Sequence, residues 1–311
     1  MQIGLMIYTE NDRLTGATRP WSEIRAAARQ AEADGFDSIW LADHLWYATP
    51  GGQTRGAWES WTILSALAEV TERVQIGTLV ACNAFRNPAV LAKMATTLDE
   101  VSGGRLVLGV GAGWNEPEHR AFGLPFGHRV DRFEEGLQII RPLLRYGAVD
   151  FAGRYHRAQD CRNEPRGPQP AGPPLLVGSY GPRMLRLAAR YADMWNTSAG
   201  DGPESLVRPL ADLDAACREV GRSRSTIAAT ATVGVFFPDL QAEVPPYENP
   251  LTGTPEEIEA AIHGYAAVGL DHLMFMCEPH TAEAHGRLAE ALRSYRSRAE
   301  RRAAEPVGSL R

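Results

Sequence analysis

Apolar positions along the chain alternate between two spacings. Short, nearly continuous apolar runs recur at Gln2–Tyr8, Ser38–Ala42, Val74–Val80, Arg105–Val110, Pro174–Gly178, Met194–Thr197, Thr226–Phe237 and Asp271–Cys277. Each has strand length, and strands such as SIWLA, RLVLGV and PLLVG are near-continuously apolar rather than apolar at every second position, the pattern of a parallel strand covered on both faces. Between them lie stretches with apolar residues three and four apart, as in Ile24, Ala27, Ala28 and Ala31 of Trp21–Asp34. The same spacing predicts helices over 58–70, Asn87 to Val101, Arg129–Arg145, Pro182–Tyr191, Pro203–Val220, from Thr254 onward, and 281–300. Punctuation agrees with the periods. Asn87-Pro88 is a cap followed by a first-turn proline, Gly35 and Gly103-Gly104 close helices, and Thr254-Pro255-Glu256-Glu257 reads as a capping box.

Eight strands, each followed by a helix, predict an α/β fold of the (β/α)8 TIM-barrel type. The segment 147–173 breaks the rhythm with a short hairpin (VDFAGRYH) and a loop dense in Pro and Gly, so an insertion is expected after the fourth βα unit. One domain is expected over 1–302, with 303–311 as a tail.

Composition narrows the classes. The chain has 311 residues, 44% hydrophobic and 23% charged, which are globular values. A net charge of −6 without a basic block argues against nucleic acid or an anionic membrane as partner. No run approaches the ~18 apolar residues of a membrane span. Four scattered cysteines and no basic leader fit a cytoplasmic protein. The eight histidines form no H-x-x-x-H or H-E-x-x-H pair, so no metal site is expected.

In such a barrel, function gathers at the C-terminal ends of the strands. That rule selects Tyr8 and Glu10, the pair Asp43-His44, Ala81-Cys82-Asn83, the run Gly111-Ala112-Gly113-Trp114-Asn115, Ser179-Tyr180-Gly181, Trp195-Asn196 and Glu278. A carboxylate directly after a buried strand needs a partner, and an adjacent imidazole titrates near neutral pH. Asp43 and His44 therefore read either as a ligand-contacting pair with an acid/base, or as a loop cap beside a surface histidine. Gly178-Ser179-Tyr180-Gly181-Pro182 joins a strand to a helix and reads as an anion site, or as a tight turn needing glycine for its dihedral angles alone. The glycines 109, 111 and 113 lack the further glycine of a dinucleotide fingerprint and suit close passage beside a flat ligand. Glu116, Glu118 and His119 read as a solvated helix start. Cys82 has no evident base partner, and Trp40, Trp58, Trp61 and Trp195 read as core or pocket wall.

These same segments resemble the bacterial luciferase-like superfamily. The likeness is carried by Ser38-Ile-Trp-Leu-Ala-Asp43-His44, Ile76-Gly-Thr-Leu-Val80, Arg86-Asn-Pro-Ala-Val-Leu-Ala-Lys93 and the run from Ser102 to Trp114. It extends through Glu118–Gly123, 174–195 and Leu251–Ile258, in texture nearest the branch dependent on coenzyme F420, an 8-hydroxy-5-deazaflavin. The resemblance implies that His44 is the catalytic acid/base beside the reactive ring and that Asp43 stands with it. Leu79-Val80 falls where members carry a non-proline cis peptide behind the ring. Cys82 and Asn83 would line the ring edge, Gly111, Ala112, Gly113 and Asn115 would approach the ring and its side chain, and Ser179, Tyr180 and Gly181 would hold the phosphate. Sugar-phosphate-oxidising members carry a glutamate where this chain has Trp114, which argues against that substrate.

The expected activity is hydride transfer between coenzyme F420 and a small, uncharged organic substrate. Arg129, Arg132, Arg183 and Arg186 are candidates to meet the anionic tail, and the loops 45–57 and 147–173, with Trp46, Tyr47, Trp58, Phe151 and Tyr155, are expected to shape the substrate pocket. FMN with oxygen is the alternative cofactor chemistry, and a non-catalytic ligand-binding barrel the alternative class. A nicotinamide reductase would need a glycine fingerprint after the first strand, and none is present there. The resemblance also suggests a homodimer.

Overall fold

The computed structural model describes residues 1–48, 54–241 and 249–304. Eight parallel strands close on themselves: β1 (Gln2–Met6), β2 (Ser38–Leu41), β3 (Gln75–Thr78), β4 (Leu106–Gly111), β5 (Leu175–Gly178), β6 (Met194–Ser198), β7 (Ala228–Phe236) and β8 (His272–Glu278). Each is hydrogen-bonded to the next, and β8 returns to β1 through pairs such as Leu5 with Phe275. The helices alternate with them: α1 (Trp21–Ala33), α2 (Ser60–Val70), α3 (Pro88–Val101), α4 (Arg129–Tyr146), α5 (Pro182–Tyr191), α6 (Val207–Glu219), α7 (Pro255–Ala267) and α8 (Ala282–Ala304). The (β/α)8 barrel is the fold. The helix expected over Pro203–Val220 is a 3-10 turn, Pro203–Leu206, running into α6. The proposed tail falls mostly on 305–311, outside the described residues.

Local chemistry explains the helix starts. Asn87 accepts from the backbone N–H groups of Ala89 and Val90, Glu59 from those of Trp61 and Thr62, and Thr254 exchanges hydrogen bonds with Glu257 in a capping box. Among the described residues, no helix is long and apolar enough to cross a membrane.

Strand periodicity divides the core into two layers. Ile3, Leu5, Ile39, Leu41, Leu106, Leu108, Leu273 and Phe275 face the helices, whereas Met6, Trp40, Val107, Leu176 and Met274 fill the bore. Trp40 is the plug. A Cβ on Gly4 would come within 2.7 Å of its indole nitrogen, and one on Gly77 within 2.5 Å of its ring, so glycine at both positions makes room for it. Above Trp40 the inward positions carry Ala42, Gly109, Gly111 and Gly178, so the upper bore is left hollow.

The insertion is a hairpin of Ala148–Ala152 with Arg157–Arg162. It does not shape the mouth of the barrel as expected. The Glu135 carboxylate on α4 accepts from the backbone N–H groups of Arg154, Tyr155 and His156, which ties the hairpin tip to the outside of that helix.

Candidate functional site

The hollow end of the bore opens into a cavity of about 700 Å³, within the usual range for a small-molecule site. It brings together Asp43, His44, Leu79, Val80, Cys82, Gly111, Ala112, Gly113, Asn115, Ser179 and Tyr180 from four separate strand ends. A hollow of about 840 Å³ lies outside the barrel between α2 and α3, and none of the expected site residues lines it. Two expected residues are not on the cavity wall. Asn83 is buried with its amide against α4, where its Oδ1 stands 2.2 Å from where a Cβ on Gly136 would be; Gly181 is the residue before α5, with φ 79°.

Asp43 is buried and fully engaged. Its Oδ1 accepts from Ser60 Oγ at 2.6 Å, and its Oδ2 from the Cys82 N–H at 3.0 Å and from Arg86 Nη1 at 2.7 Å. Arg86 also reaches Glu59. Burial opposes the charge on Arg86, but Asp43 and Glu59 outweigh it and hold the guanidinium above its ordinary range. Asp43 thus ties the ends of β2 and β3 to α2 and the start of α3.

His44 is oriented by a residue the polar pattern had assigned to solvent. Glu118, on a short helix Glu116–Ala121 after β4, is 1% exposed. Its Oε2 accepts from His44 Nδ1 at 3.0 Å and Asn115 Nδ2 at 3.1 Å, and its Oε1 from the backbone N–H groups of Leu45 and Trp46. Burial pushes this carboxyl up, but the His44 and backbone donors prevail and leave it below its ordinary value. The His44 ring lies 4.2 Å from that of Tyr47 and 5.4 Å from that of Trp114, centroid to centroid. The sequence did hold a signal for Glu118: an acid one turn past Asn115, directly after a barrel strand.

His119 is equally buried, with Nε2 3.7 Å from Cys82 Sγ. Burial holds this imidazole below its ordinary value. Burial, with Asp43 and Glu118 nearby, pushes the Cys82 thiol up to about 12, so it stays a thiol at neutral pH. Gly113 passes between them at φ 83°, a conformation that favours glycine, and a Cβ there would stand 2.7 Å from Cys82 Sγ.

At the β5 end, Trp195 Nε1 donates to Ser179 Oγ at 3.0 Å, leaving the hydroxyl proton for another acceptor. The Ser179 N–H is spent on Asn196 O at 3.1 Å, so among the described residues it is the later part of the turn and the first turn of α5 that offer N–H groups to a ligand. Of the four arginines expected at the rim, Arg129 alone lines the cavity, over the Phe126 ring and in no ion pair among the described residues. Arg183 pairs with Asp131 and Glu134, Arg186 with Glu219, and Arg132 covers Tyr155.

The opposite wall holds Glu10, Tyr47, Arg55 and Glu278. Tyr47 donates to Glu10 Oε1 at 2.9 Å, and burial together with Glu10 raises its phenol well above the ordinary value. Burial likewise raises Glu278, against the pull of Arg13, Arg19 and Arg55. Trp46 contributes its backbone to the Glu118 contacts, whereas Trp58 is 47% exposed, its indole donating to Arg19 O, and is neither core nor cavity wall. Trp40, Trp61 and Trp195 are buried.

The family described as luciferase-like monooxygenase matches residues 1–306. An F420-dependent glucose-6-phosphate dehydrogenase of Amycolatopsis mediterranei is 37% identical over 182 residues, 57% of this chain and 53% of that protein. Pyrimidine monooxygenase RutA of Stutzerimonas stutzeri is 34% identical over 210 residues, 64% of this chain and 56% of its own length. The chain thus spans little more than half the length of these curated relatives. A solved F420-dependent secondary alcohol dehydrogenase, in complex with an F420–acetone adduct, superposes with a TM-score of 0.79 at 22% identity, over 94% of this chain and 98% of that one. That likeness concerns the fold.

Proposed function

Because the chain belongs to the luciferase-like monooxygenase family, we propose that it is an oxidoreductase whose barrel mouth binds coenzyme F420 and exchanges a hydride between it and a small organic substrate. The observation that carries this reading is the convergence of the Asp43-His44, Gly111–Gly113 and Ser179-Tyr180 turns on one cavity. When bound, the cofactor supplies the two-electron chemistry; the protein supplies position and electrostatics.

The residues present fit a flat ring with an anionic tail. The Leu79–Val80 peptide is cis, and Val80 packs so closely on β4 and β5 that a Cβ on Gly111 would come within 2.7 Å of it and one on Gly178 within 3.1 Å. Bare backbone therefore borders a slot with Met6, Ala112 and Met276 as apolar wall. The Ser179 hydroxyl, the first turn of α5 and the unpaired Arg129 make an anion anchor at one end. His44 stands at the other side, Nδ1 on Glu118 and Nε2 without a hydrogen-bond partner among the described residues, placed to take or give the proton that accompanies hydride transfer. The aromatic neighbours Tyr47 and Trp114 favour an uncharged substrate beside it.

An FMN-dependent monooxygenase is the second reading, favoured by the 34% identity to the pyrimidine monooxygenase. The purified chain, supplied with reduced F420 or reduced FMN and a panel of short ketones in an oxygen-electrode cell, separates the two. The expected outcome is F420 oxidation that depends on the ketone and consumes no oxygen, slowed about 10²–10⁴-fold in His44→Ala with F420 affinity retained. Oxygen from O₂ appearing in an organic product with reduced FMN, above the protein-free control, supports the second reading, and unchanged turnover in His44→Ala removes His44 from the reaction.

A further inference from the structure

We infer that Glu118 is a positioning residue that fixes the tautomer of His44, keeping its proton on Nδ1 so that Nε2 meets the cavity as a bare acceptor. The inference rests on the reading of His44 as the acid/base, and adds the group that prepares it. An ionised carboxylate only accepts, with room for about four hydrogen bonds on its two oxygens. Here four donors occupy them: the Leu45 and Trp46 N–H groups on Oε1, and Asn115 Nδ2 and His44 Nδ1 on Oε2. Against an acceptor 3.0 Å away, Nδ1 must carry the proton. Asn115 cannot turn its amide to relieve this arrangement, because the same Nδ2 donates to Trp46 O at 3.1 Å. Tyr47, tilted 37° to the imidazole at 4.2 Å, and Trp114, edge-on at 5.4 Å, confine the ring on two sides.

The geometry also fixes what an amide would do in place of the acid. In Glu118→Gln the paired N–H groups of Leu45 and Trp46 still demand an oxygen at the Oε1 position. The side-chain NH₂ then faces His44 and donates to Nδ1, opposing one fixed donor, Asn115 Nδ2, whereas the flipped amide would oppose two backbone N–H groups. The imidazole proton moves to Nε2, and the face turned to the cavity changes from acceptor to donor while shape and volume are kept. In hydrolase triads, the same change from orienting acid to amide costs about 10⁴ in kcat through the wrong tautomer. A residue that merely stapled the loop 44–46 to the short helix would be replaced by glutamine without moving the imidazole proton.

The test is a pair of ¹⁵N imidazole spectra of the cofactor-free protein at a pH where His44 is neutral, its signals assigned by their loss in His44→Gln. The wild-type spectrum is expected to show a protonated Nδ1 and a bare Nε2, and Glu118→Gln the reverse, with the far-ultraviolet circular dichroism of the two proteins superimposable. A wild-type protein with the proton on Nε2 overturns the inference whatever the variant does, so the result stands even if Glu118→Gln fails to fold. An unchanged tautomer in a folded Glu118→Gln overturns it too. Neither spectrum involves cofactor or turnover, so failure of the proposed redox activity is recorded separately. Where F420 turnover is measurable, the kcat of Glu118→Gln is expected to fall at least 10²-fold with F420 affinity unchanged.

Discussion

Removing the guanidinium of Arg86 exposes how much of the site's rigidity comes from one ion pair. Asp43 has 1% of its side chain exposed and Arg86 has 12%, with contacts of 2.7 and 3.2 Å between them. Arg86→Met keeps a side chain of similar length and leaves the Asp43 carboxylate with the Ser60 hydroxyl and the Cys82 N–H as partners. Stripping one member from a buried pair costs about 3–5 kcal/mol, because the other charge stays desolvated. Those two remaining donors, and the open hollow that Arg86 borders, place this case at the low end, about 3 kcal/mol. The contact with Glu59, which is 40% exposed, adds little. With a urea m-value of roughly 3 kcal/mol/M, the unfolding midpoint falls by about 1 M; in a thermal scan Tm falls by about 6 °C. Asp43→Asn in the same background removes the stranded charge, so the double variant is expected to be about 1 kcal/mol more stable than Arg86→Met alone. A loss below about 1 kcal/mol in Arg86→Met, or a double variant less stable than the single, refutes the reasoning.

Two further perturbations follow from the same coordinates. His272 is buried in the lower bore against Ser38 Oγ at 2.8 Å, and burial drives its pKa down to about 4 from 6.5. The unfolded chain binds that proton first, so stability falls as pH drops from 6.5 toward 4, by up to ~3 kcal/mol from this group. His272→Gln, which keeps an acceptor for Ser38, is expected to lessen the slope in that window, where the buried His280 and His285 act in the same direction, in urea titrations at several pH values; an unaltered slope contradicts the assignment. Gly113→Ala places a methyl 2.7 Å from Cys82 Sγ and 2.9 Å from His119 Nε2 at a positive φ. It is expected to cost about 1–3 kcal/mol and to weaken uptake of a planar ligand at least tenfold, read by denaturation and cofactor titration.

The barrel was legible because strands such as Ser38–Leu41 and Leu106–Gly111 are apolar on both faces and helices such as α2, α3 and α7 carry their own caps, so local signals agree with the global fold. The strand-end rule then found the Asp43, Gly111 and Ser179 turns, whose position depends only on topology. Glu118 and His119 escaped it. Within Glu-Pro-Glu-His-Arg their polarity reads as solvent exposure, but the loop 44–46, more than 70 residues away, covers Glu118, and Cys82, Phe85 and Phe126 pack on His119. Asn83 failed for the opposite reason: it follows its strand end as expected, but a 3-10 turn, Asn83–Phe85, carries it against Gly136 and out of the cavity. The rim arginines could not be sorted by sequence, since Arg183 and Arg129 differ only in whether a carboxylate from a neighbouring helix reaches them.

The central claim is that three distant turns form one receptor for a planar redox cofactor with an anionic tail. Equilibrium titration of the purified, cofactor-free chain with F420 and with FMN, followed by the fluorescence of each, tests it most directly. Saturable binding of F420 at one per chain, weakened by Arg129→Ala and by Gly113→Ala, is the expected result. Failure of both cofactors to bind contradicts it.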